Sequence, residues 1–483
     1  MEKFRFRFCK GFAAAIAAGA LLLTVAAFAI GCQQANRTEK TDPNSESGEQ
    51  IRQQRECEQS ADDEETRDAA EIPENPLQII LSLGAEPGQL SISWKGDADG
   101  PETLRLTEAE AETLQKVEAG DAESAGMGWQ SGSRAFAENE AETFAAKKER
   151  ILKSDYYRWH VSLTGLAQGR EYQYQIGQFE GSFRVPQERE TTRFLYLGDV
   201  QFQDSMAEYE EWGALVKEAY RAHPDLDFAV IGGDLVNSPG DLDQWEAFLD
   251  ACDVFAKLPV VTVAGNHEGV HSNYTYQKIF ALPDDAPRKL SGEEFYAFDF
   301  GNLRFLMLDS SFLTQERKES MGTKKWETEE QRVEDWIWQE AETCEKPWLA
   351  AVIHHPVYGM HDGDTVSPQI RKLWEPVLRT GGVKVVFSGH QHLYQRTKSI
   401  CGVTYLMGNS GQRESCFFDG NNLPEYTRQI YDKGPNYQIV EASPKRLKLT
   451  SYNKKGLVID ETVIGKGLLF HILEFFRGDQ VVV

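Results

Sequence analysis

This sequence of 483 residues lacks an excess of positive charge, since it contains 51 Lys and Arg but 76 Asp and Glu. The formal net charge of -25 argues against non-specific binding to nucleic acid or anionic lipid, because phosphate groups attract basic surfaces. A small phosphorylated substrate is not excluded, since bound metal ions can supply positive charge that side chains do not.

Cysteines are also few, and none of the 7 forms a C-x-x-C pair. Cys9 and Cys32 lie in the N-terminal segment, and the others are Cys57, Cys252, Cys344, Cys401 and Cys416. This spacing is not that of a thiolate metal site. A disulfide between Cys401 and Cys416 would be compatible with export, although the sequence does not settle it.

Long hydrophobic runs are confined to the N-terminus, where basic residues precede an apolar stretch from Phe12 to Ile30. Residues 1–31 therefore have the pattern of an export signal. The final Ala29-Ile30-Gly31-Cys32 resembles a bacterial lipobox, with Ala29 where Leu is commoner, which would make Cys32 the lipidated first residue. We expect an exported lipoprotein at the cell surface or in the periplasm, with simple secretion and an uncleaved anchor as the alternatives.

The remaining chain divides into four segments of different composition. Residues 32–75 are polar and acidic, which predicts a disordered tether. Residues 76–188 contain short runs of alternating polarity and predict an all-β sandwich, with an Ala- and Glu-rich helical insertion over Thr107–Lys153. Residues 191–465 alternate apolar strands with amphipathic helices and predict an α/β domain of the αββα sandwich type. The predicted elements of the two domains include strands over Glu171–Ile176, Phe228–Ile231, Leu303–Leu308 and Trp348–Ile353, and a helix over Gln369–Thr380 with Ser367 as N-cap and Pro368 at its first position. Residues 466–483 form a tail whose apolar run, Leu468–Phe476, is too short to span a membrane.

The sandwich segment resembles a fibronectin type III domain. Leu166 and Tyr172 have the spacing of a tyrosine corner. The run "YYRWHVSLTGLAQGREYQYQIG" is similar to the N-terminal domain of purple acid phosphatases. His160 lies on a predicted strand within this run, which favours a structural role.

Five predicted strands of the α/β segment each end in a short polar cluster containing metal-ligand residue types. The clusters are Gly198-Asp199-Val200-Gln201, Gly232-Gly233-Asp234-Leu235-Val236-Asn237, Gly265-Asn266-His267-Glu268, Val352-Ile353-His354-His355-Pro356 and Gly389-His390-Gln391-His392. One such cluster is ordinary turn chemistry. Five of them at the carboxyl ends of strands predict a common crevice, because ligands of open α/β sheets gather there.

This constellation resembles the calcineurin-like metallophosphoesterase pattern over Phe194–Arg396, and "GHQHLYQR" and "VIHHPVY" are close to the purple acid phosphatase forms. The resemblance implies that Asp199 and His392 hold one metal ion, that Asn266, His354 and His390 hold a second, and that Asp234 bridges both. It also implies that His267 contacts phosphate and assists proton transfer with a carboxylate partner. His355 falls on a variable position of the motif, which implies that it is not a ligand.

The chain departs from that family at two positions. Asn237 stands where purple members carry tyrosine, and Gln201 stands where many others carry histidine. We include both as candidate ligands of the first metal. The resulting set of carboxylate, amide and imidazole groups suits two ions of Fe, Mn or Zn without selecting one. Loss of the tyrosinate predicts a colourless protein that prefers divalent ions.

The expected activity is hydrolysis of phosphate esters outside the cytoplasm, by water attack at a two-metal centre. His361, seven residues beyond His354, is a candidate proton donor or a plain surface residue. The alternative is a surface-displayed binding protein whose phosphoesterase domain has decayed. An intracellular nuclease conflicts with the export signal and the acidic charge. The sequence does not distinguish monoester from diester substrates, and it does not indicate the oligomeric state. The only membrane contact that we expect is through the lipid anchor.

Overall fold

The computed structural model describes residues 75, 77–109, 141–151, 154–269, 274–282, 295–360, 364–415 and 423–465. All of these residues belong to one compact unit, Ala70–Val483. The predicted signal, the tether, Cys32, Cys416 and the 466–483 tail lie outside the described residues. No helix in the described ranges combines the length and apolarity needed to cross a bilayer.

The described strands are numbered in chain order. They are β1 (Ile80–Leu83), β2 (Leu90–Gly96), β3 (Thr103–Glu108), β4 (Glu142–Ala145), β5 (Lys147–Arg150), β6 (Tyr157–Leu163), β7 (Glu171–Ile176), β8 (Phe179–Arg184), β9 (Thr192–Leu197), β10 (Phe228–Ile231), β11 (Val260–Thr262), β12 (Tyr296–Phe300), β13 (Leu303–Leu308), β14 (Trp348–Ile353), β15 (Val385–Ser388), β16 (Tyr394–Thr397), β17 (Thr404–Met407), β18 (Thr427–Tyr431), β19 (Asn436–Ala442), β20 (Arg446–Asn453) and β21 (Val458–Gly465).

The described α-helices follow the same numbering. They are α1 (Glu208–Ala222), α2 (Leu242–Asp250), α3 (Asn266–Gly269), α4 (Tyr274–Ile279), α5 (Gln315–Met321), α6 (Thr323–Glu342), α7 (Val366–Leu373) and α8 (Glu375–Gly381). Two 3₁₀ turns cover Asp253–Ala256 and Ser310–Leu313.

Two large sheets form the centre of the molecule. The first has ten strands in the order β21-β20-β19-β9-β10-β11-β1-β2-β6-β5, and the second has seven in the order β12-β13-β14-β15-β17-β16-β18. Strands β9, β10 and β11 run parallel to one another, as do β13, β14 and β15. The carboxyl ends of each parallel set therefore meet at one edge of its sheet.

A phenylalanine cluster lies between the two sheets. The Phe194 ring on β9 is 5.2 Å from Phe305 on β13 and 5.7 Å from Phe387 on β15, both edge-on. The outer face of the second sheet packs on helices through a separate core that includes Ile337 and Trp374. The α/β prediction is therefore confirmed as two mixed sheets covered by helices.

The N-terminal strands do not all form a sheet of their own. β1 pairs in parallel with β11, so β1, β2, β6 and β5 extend the first large sheet. The smaller sheet has the order β4-β3-β7-β8. The Tyr172 hydroxyl accepts a hydrogen bond from Ala167 N at 3.0 Å, as a tyrosine corner requires. The fibronectin type III assignment stays a prediction.

Two helical predictions need correction. The described end of the proposed insertion forms β4 and β5, while residues 110–140 lie outside the described residues. The helix predicted over Gln369–Thr380 is interrupted at Trp374, and Pro376 lies in the first turn of α8. Ser367 lies inside α7 rather than at its N-cap, and its hydroxyl donates to Pro356 O at 2.6 Å.

Candidate metal centre

Loops from both sheets bring the predicted ligands together. Asp199 follows β9, Asp234 follows β10 and Asn266 follows β11, all in the first sheet. His354 follows β14 and His390 follows β15 in the second sheet. Possible ligand atoms of Asp234, His354 and His390 lie within 4.8 Å of one another, and so do those of Asp199, Asp234 and His392. Asp234 is the member common to both groups.

Glycines allow the loops to approach so closely. A Cβ on Gly265 would lie 2.1 Å from Asp234 Oδ1, and one on Gly389 would lie 2.7 Å from Asp199 Oδ2. Three predicted ligands themselves have left-handed backbones, with φ of 54° at Asp234, 75° at His390 and 54° at His392. Such conformations are costly for residues with a Cβ and occur where a site requires them.

The first of these groups is joined by short polar contacts. His354 Nε2 lies 3.1 Å from Asp234 Oδ2 and 3.2 Å from Asn266 Oδ1. His390 Nδ1 lies 2.8 Å from the same Asn266 oxygen. The other nitrogen of His354, Nδ1, is 2.8 Å from Gly232 O, and because a carbonyl only accepts, Nδ1 carries a proton. The Nε2 atom is thereby directed at the centre.

The second group contains Asp199, which is fully buried. Its carboxylate accepts from His390 N at 2.7 and 2.9 Å, and it lies 3.9 Å from His392 Nε2. Gln201 is also fully buried, and its Nε2 donates to Val236 O at 3.2 Å. Among the described residues no hydrogen-bond partner exists for Gln201 Oε1. A buried amide oxygen without a partner is suited to a cation.

Burial and mutual charge set the protonation of this cluster. Burial alone would lower the pKa of His354, but the Asp234 carboxylate raises it to about 10. Burial would raise the pKa of Asp234, but the charge of His354 holds it well below its usual range. Burial raises the pKa of Asp199 to about 7, and burial lowers those of His390 and His392 to about 4. A proton on His354 therefore supplies positive charge that a cation can replace.

His267 lies beside the centre, as predicted, but with a different partner. Its backbone N donates to Asp234 Oδ1 at 3.0 Å. Its ring Nδ1 is 2.6 Å from the backbone oxygen of Asn237, not from a carboxylate. Nδ1 consequently carries the proton, and Nε2 is the ring atom able to exchange one.

The prediction that Asn237 is a metal ligand is not supported by its contacts. Its Oδ1 accepts from Arg413 Nη1 at 2.9 Å, and its Nδ2 donates to Phe202 O at 3.1 Å. Both ends of the amide are therefore engaged by protein groups. His361, the other proton donor that we considered, lies outside the described residues.

The sequence patterns assigned no role to three other residues of the site. Glu268 is buried and accepts from the backbone N atoms of Gly265, Asp234, Leu235 and Val236, which holds the two loops together. Asp364 Oδ2 is 3.9 Å from His390 Nε2. Arg413 reaches the site from a loop after β17. Glu268 belongs to a predicted strand-end cluster but had no role assigned to it there, whereas Asp364 and Arg413 lie outside those clusters.

His355 occupies the far side of His390. The two ring centroids are 4.2 Å apart, and His355 Nδ1 is 2.8 Å from Ser310 Oγ. Atoms of His355, Asp364 and His390 also lie within 4.8 Å of one another. His355 is thus a buried neighbour of a candidate ligand rather than a member of the two groups that contain Asp234.

The donor set fits two divalent cations. It combines two carboxylates, one of them shared, with three imidazoles and the amide oxygen of Asn266. The buried Gln201 Oε1, which has no hydrogen-bond partner among the described residues, adds a second amide oxygen. Hard oxygen and borderline nitrogen ligands are those of Mn, Fe and Zn sites.

Part of this chain is similar to known phosphoesterases. Residues 192–394 match the family model of the calcineurin-like phosphoesterases. Purple acid phosphatase 21 of Arabidopsis thaliana is 25% identical over 280 residues, which cover 53% of this chain and 58% of that protein. A probable cyclic nucleotide phosphodiesterase of Psychrobacter arcticus is 26% identical over 199 residues, which cover 40% of this chain and 65% of that protein.

A solved structure shows the same fold. The purple acid phosphatase PPD1 from yellow lupin (Lupinus luteus) seeds superposes with a TM-score of 0.60 and 16% identity, covering 81% of this chain and 75% of that one. The match to the first curated relative spans less than two thirds of its length. Residues 192–394 are thus similar to the calcineurin-like phosphoesterases, and purple acid phosphatases are among the relatives of the chain.

Proposed function

From this calcineurin-like phosphoesterase domain and its purple acid phosphatase homologues, we propose that the chain hydrolyses phosphate esters at a centre of two divalent metal ions. The observation that carries the proposal is the sharing of Asp234 between two groups of candidate ligands. Asp199 and His392 complete one group, and His354 and His390 complete the other. A carboxylate with two oxygens can serve two cations at once.

The candidate ligands would hold two such cations, which would polarise the phosphoryl oxygens and lower the pKa of a water molecule. The side chains of the protein then have separate tasks. Asp199 and Asp234 supply negative charge to a buried site, where a cation would otherwise lose its hydration without compensation. Asn266 contacts both His354 and His390, which fixes the directions of the two rings.

His267 is the proposed proton donor to the leaving oxygen. The Asn237 carbonyl orients its ring through Nδ1, which leaves Nε2 to hold or release a proton. A positioned histidine contributes about 10²–10⁴ in rate. This side chain is partly exposed, so a substrate can approach it.

The proposed metals are divalent. Asn237 carries a neutral amide, so this position offers a metal ion no anionic oxygen. Both ends of that amide are also hydrogen-bonded, to Arg413 and to Phe202. Gln201 Oε1 is the neutral replacement that we propose for the first ion. Active protein should therefore be colourless, and a strong visible absorption band with one ferric ion per chain would contradict this ligand set.

Two measurements test the proposal. Elemental analysis of the purified protein gives its metal content, and activity assays with added Mn, Zn or ferrous iron measure the hydrolysis of a panel of phosphomonoesters and diesters. We expect two metal ions per chain and hydrolysis of at least one ester class. Full metal content without cleavage of any ester would instead support a binding protein.

We also propose that the protein is exported and anchored by lipid on Cys32. The support is the basic segment, the apolar run and the Gly31-Cys32 junction of the N-terminal sequence.

A further inference from the structure

Arg413 is held beside the candidate metal centre by two contacts. Its backbone oxygen accepts from the Asn409 Nδ2 atom at 3.1 Å, and its Nη1 donates to Asn237 Oδ1 at 2.9 Å. Asn409 is buried and forms a β-bridge with Asp199. The loop is further fixed because Gly411 N donates to Asp199 O at 2.6 Å. The backbone and the side chain of this arginine are thus held by residues that flank the centre.

Asn237 joins Arg413 to the proposed proton donor. Its side-chain oxygen faces Arg413, while its backbone oxygen faces the ring of His267. The guanidinium also lies close enough to His392 for its positive charge to act on that ring. The arginine therefore lies along the side of the site that carries His267 and His392.

The charge of Arg413 is not neutralised by the described part of the protein. Its side-chain hydrogen bond there is to an uncharged amide, and it forms no ion pair within those ranges. A guanidinium has five N–H donors in a planar fork that matches phosphate oxygens. The side chain is partly exposed, so the donors not used by Asn237 are accessible to a ligand.

We propose that Arg413 contacts the phosphoryl oxygens of the substrate and makes the site selective for dianionic phosphomonoesters over diesters. This inference rests on the proposed phosphoesterase function. A fixed cation stabilises a dianion more than a monoanion, since the Coulomb energy scales with the charge of the ligand. A diester also replaces one charged oxygen, the group that a guanidinium recognises, with an ester oxygen.

The test compares Arg413→Gln with wild type on p-nitrophenyl phosphate and bis(p-nitrophenyl) phosphate. At pH 8 the monoester is a dianion, because the second phosphate pKa is about 6. Loss of a charge-assisted hydrogen bond predicts a rise of about tenfold or more in KM for the monoester. The KM for the diester should change much less, and the metal content should not change. Arg413→Lys, which keeps the charge, should recover part of the monoester affinity.

Two controls separate substrate binding from a structural role. Arg446→Gln removes an exposed arginine at the start of β20 and should leave both KM values unchanged. Asn237→Ala removes the anchor but keeps the charge of Arg413, so it should raise the monoester KM less than Arg413→Gln does. Equal losses on both substrates, equal effects of Asn237→Ala and Arg413→Gln, or loss of metal from Arg413→Gln would each overturn the inference.

A binding measurement keeps the inference testable if wild type cleaves neither ester. Calorimetry of the Mn-loaded protein with orthophosphate then replaces kinetics. Weaker phosphate binding by about tenfold in Arg413→Gln would support the contact even though the proposed activity had failed. Equal affinity in wild type and variant would refute it.

Discussion

Asp234→Asn is the substitution that probes the centre most directly. It removes one negative charge from a side chain with 1% exposure and changes its shape very little. The carboxylate lies 3.1 Å from His354 Nε2 and accepts from His267 N at 3.0 Å. It is also the group shared by both sets of candidate ligands, so both cations should be affected.

The size of the effect in the metal-free protein follows from the pKa of His354. Asp234 raises that pKa to about 10, so the protonated pair predominates at pH 7 and is lost as the pH rises through about 10. Because this pKa lies about three units above pH 7, the folded protein favours the protonated over the neutral form of His354 by roughly 4 kcal/mol. Breaking one side of a buried ion pair costs about 3–5 kcal/mol when the other charge stays buried and unpaired, so that range is an upper limit here. Without Asp234, burial lowers the pKa of His354, so the ring becomes neutral and no charge remains stranded.

The variant should therefore fold with a reduced free energy of unfolding, bind metal weakly and lose its hydrolytic activity. Urea unfolding of metal-free protein, elemental analysis and turnover of a cleaved ester measure the three effects. Asp227→Asn is a matched control, because Asp227 is a carboxylate with 3% exposure that pairs with Arg189 at 2.6 Å away from the centre. That control should keep its metals. An Asp234→Asn protein with two metal ions and wild-type turnover would refute the bridging role.

Four further predictions concern other parts of the chain. His355→Ala should keep the metals and most of the activity, because Nδ1 faces Ser310, and a loss as large as that of His354→Ala would mean that the motif has been placed in the wrong register. Gln201→Leu should weaken one metal site and spare the other in a metal titration, because it removes the Oε1 atom that is proposed as a ligand of the first ion and has no partner in the described structure. Burial lowers the pKa of His160 to about 4, so the unfolded chain takes up the proton first and the free energy of unfolding should decrease as the pH falls from about 6.5 towards 4, while His160→Gln should flatten that dependence. Cys32→Ser should release soluble protein or leave uncleaved precursor, and an unchanged mature mass with unchanged membrane association would exclude the lipid anchor.

Much of the site could be predicted because its signals are local. Strands β7, β10, β13 and β14 have the predicted bounds, since each is a short run set by its own hydrophobic pattern. The polar residues that follow β9, β10, β11, β14 and β15 are adjacent in sequence to those runs. Because parallel strands present their carboxyl ends at one edge, the proximity of Asp199 and Asp234 in the first sheet follows from that pattern. The approach of His354 to Asp234 depends instead on how the two sheets pack.

Helix ends were less accurate, and the reasons are physical. Ser367 and Pro368 have the local signature of a helix start, yet the hydroxyl of Ser367 donates to Pro356 O and the helix begins at Val366. The sequence does not show whether a capping side chain will find a better partner elsewhere. A tertiary contact here outweighs a local preference.

The sequence by itself determined the strands, the glycines and the metal-ligand types of the centre, since these depend on residues a few positions apart. Tertiary structure decided which loops meet. The contact between Arg413 and Asn237 spans 176 residues, and that between His390 and Asn266 spans 124. The pairing of β1 with β11, which merges the N-terminal strands with the first large sheet, likewise joins distant segments. Such contacts form only when the whole core packs, because the energy that holds them comes from burial of both sheets rather than from either segment alone.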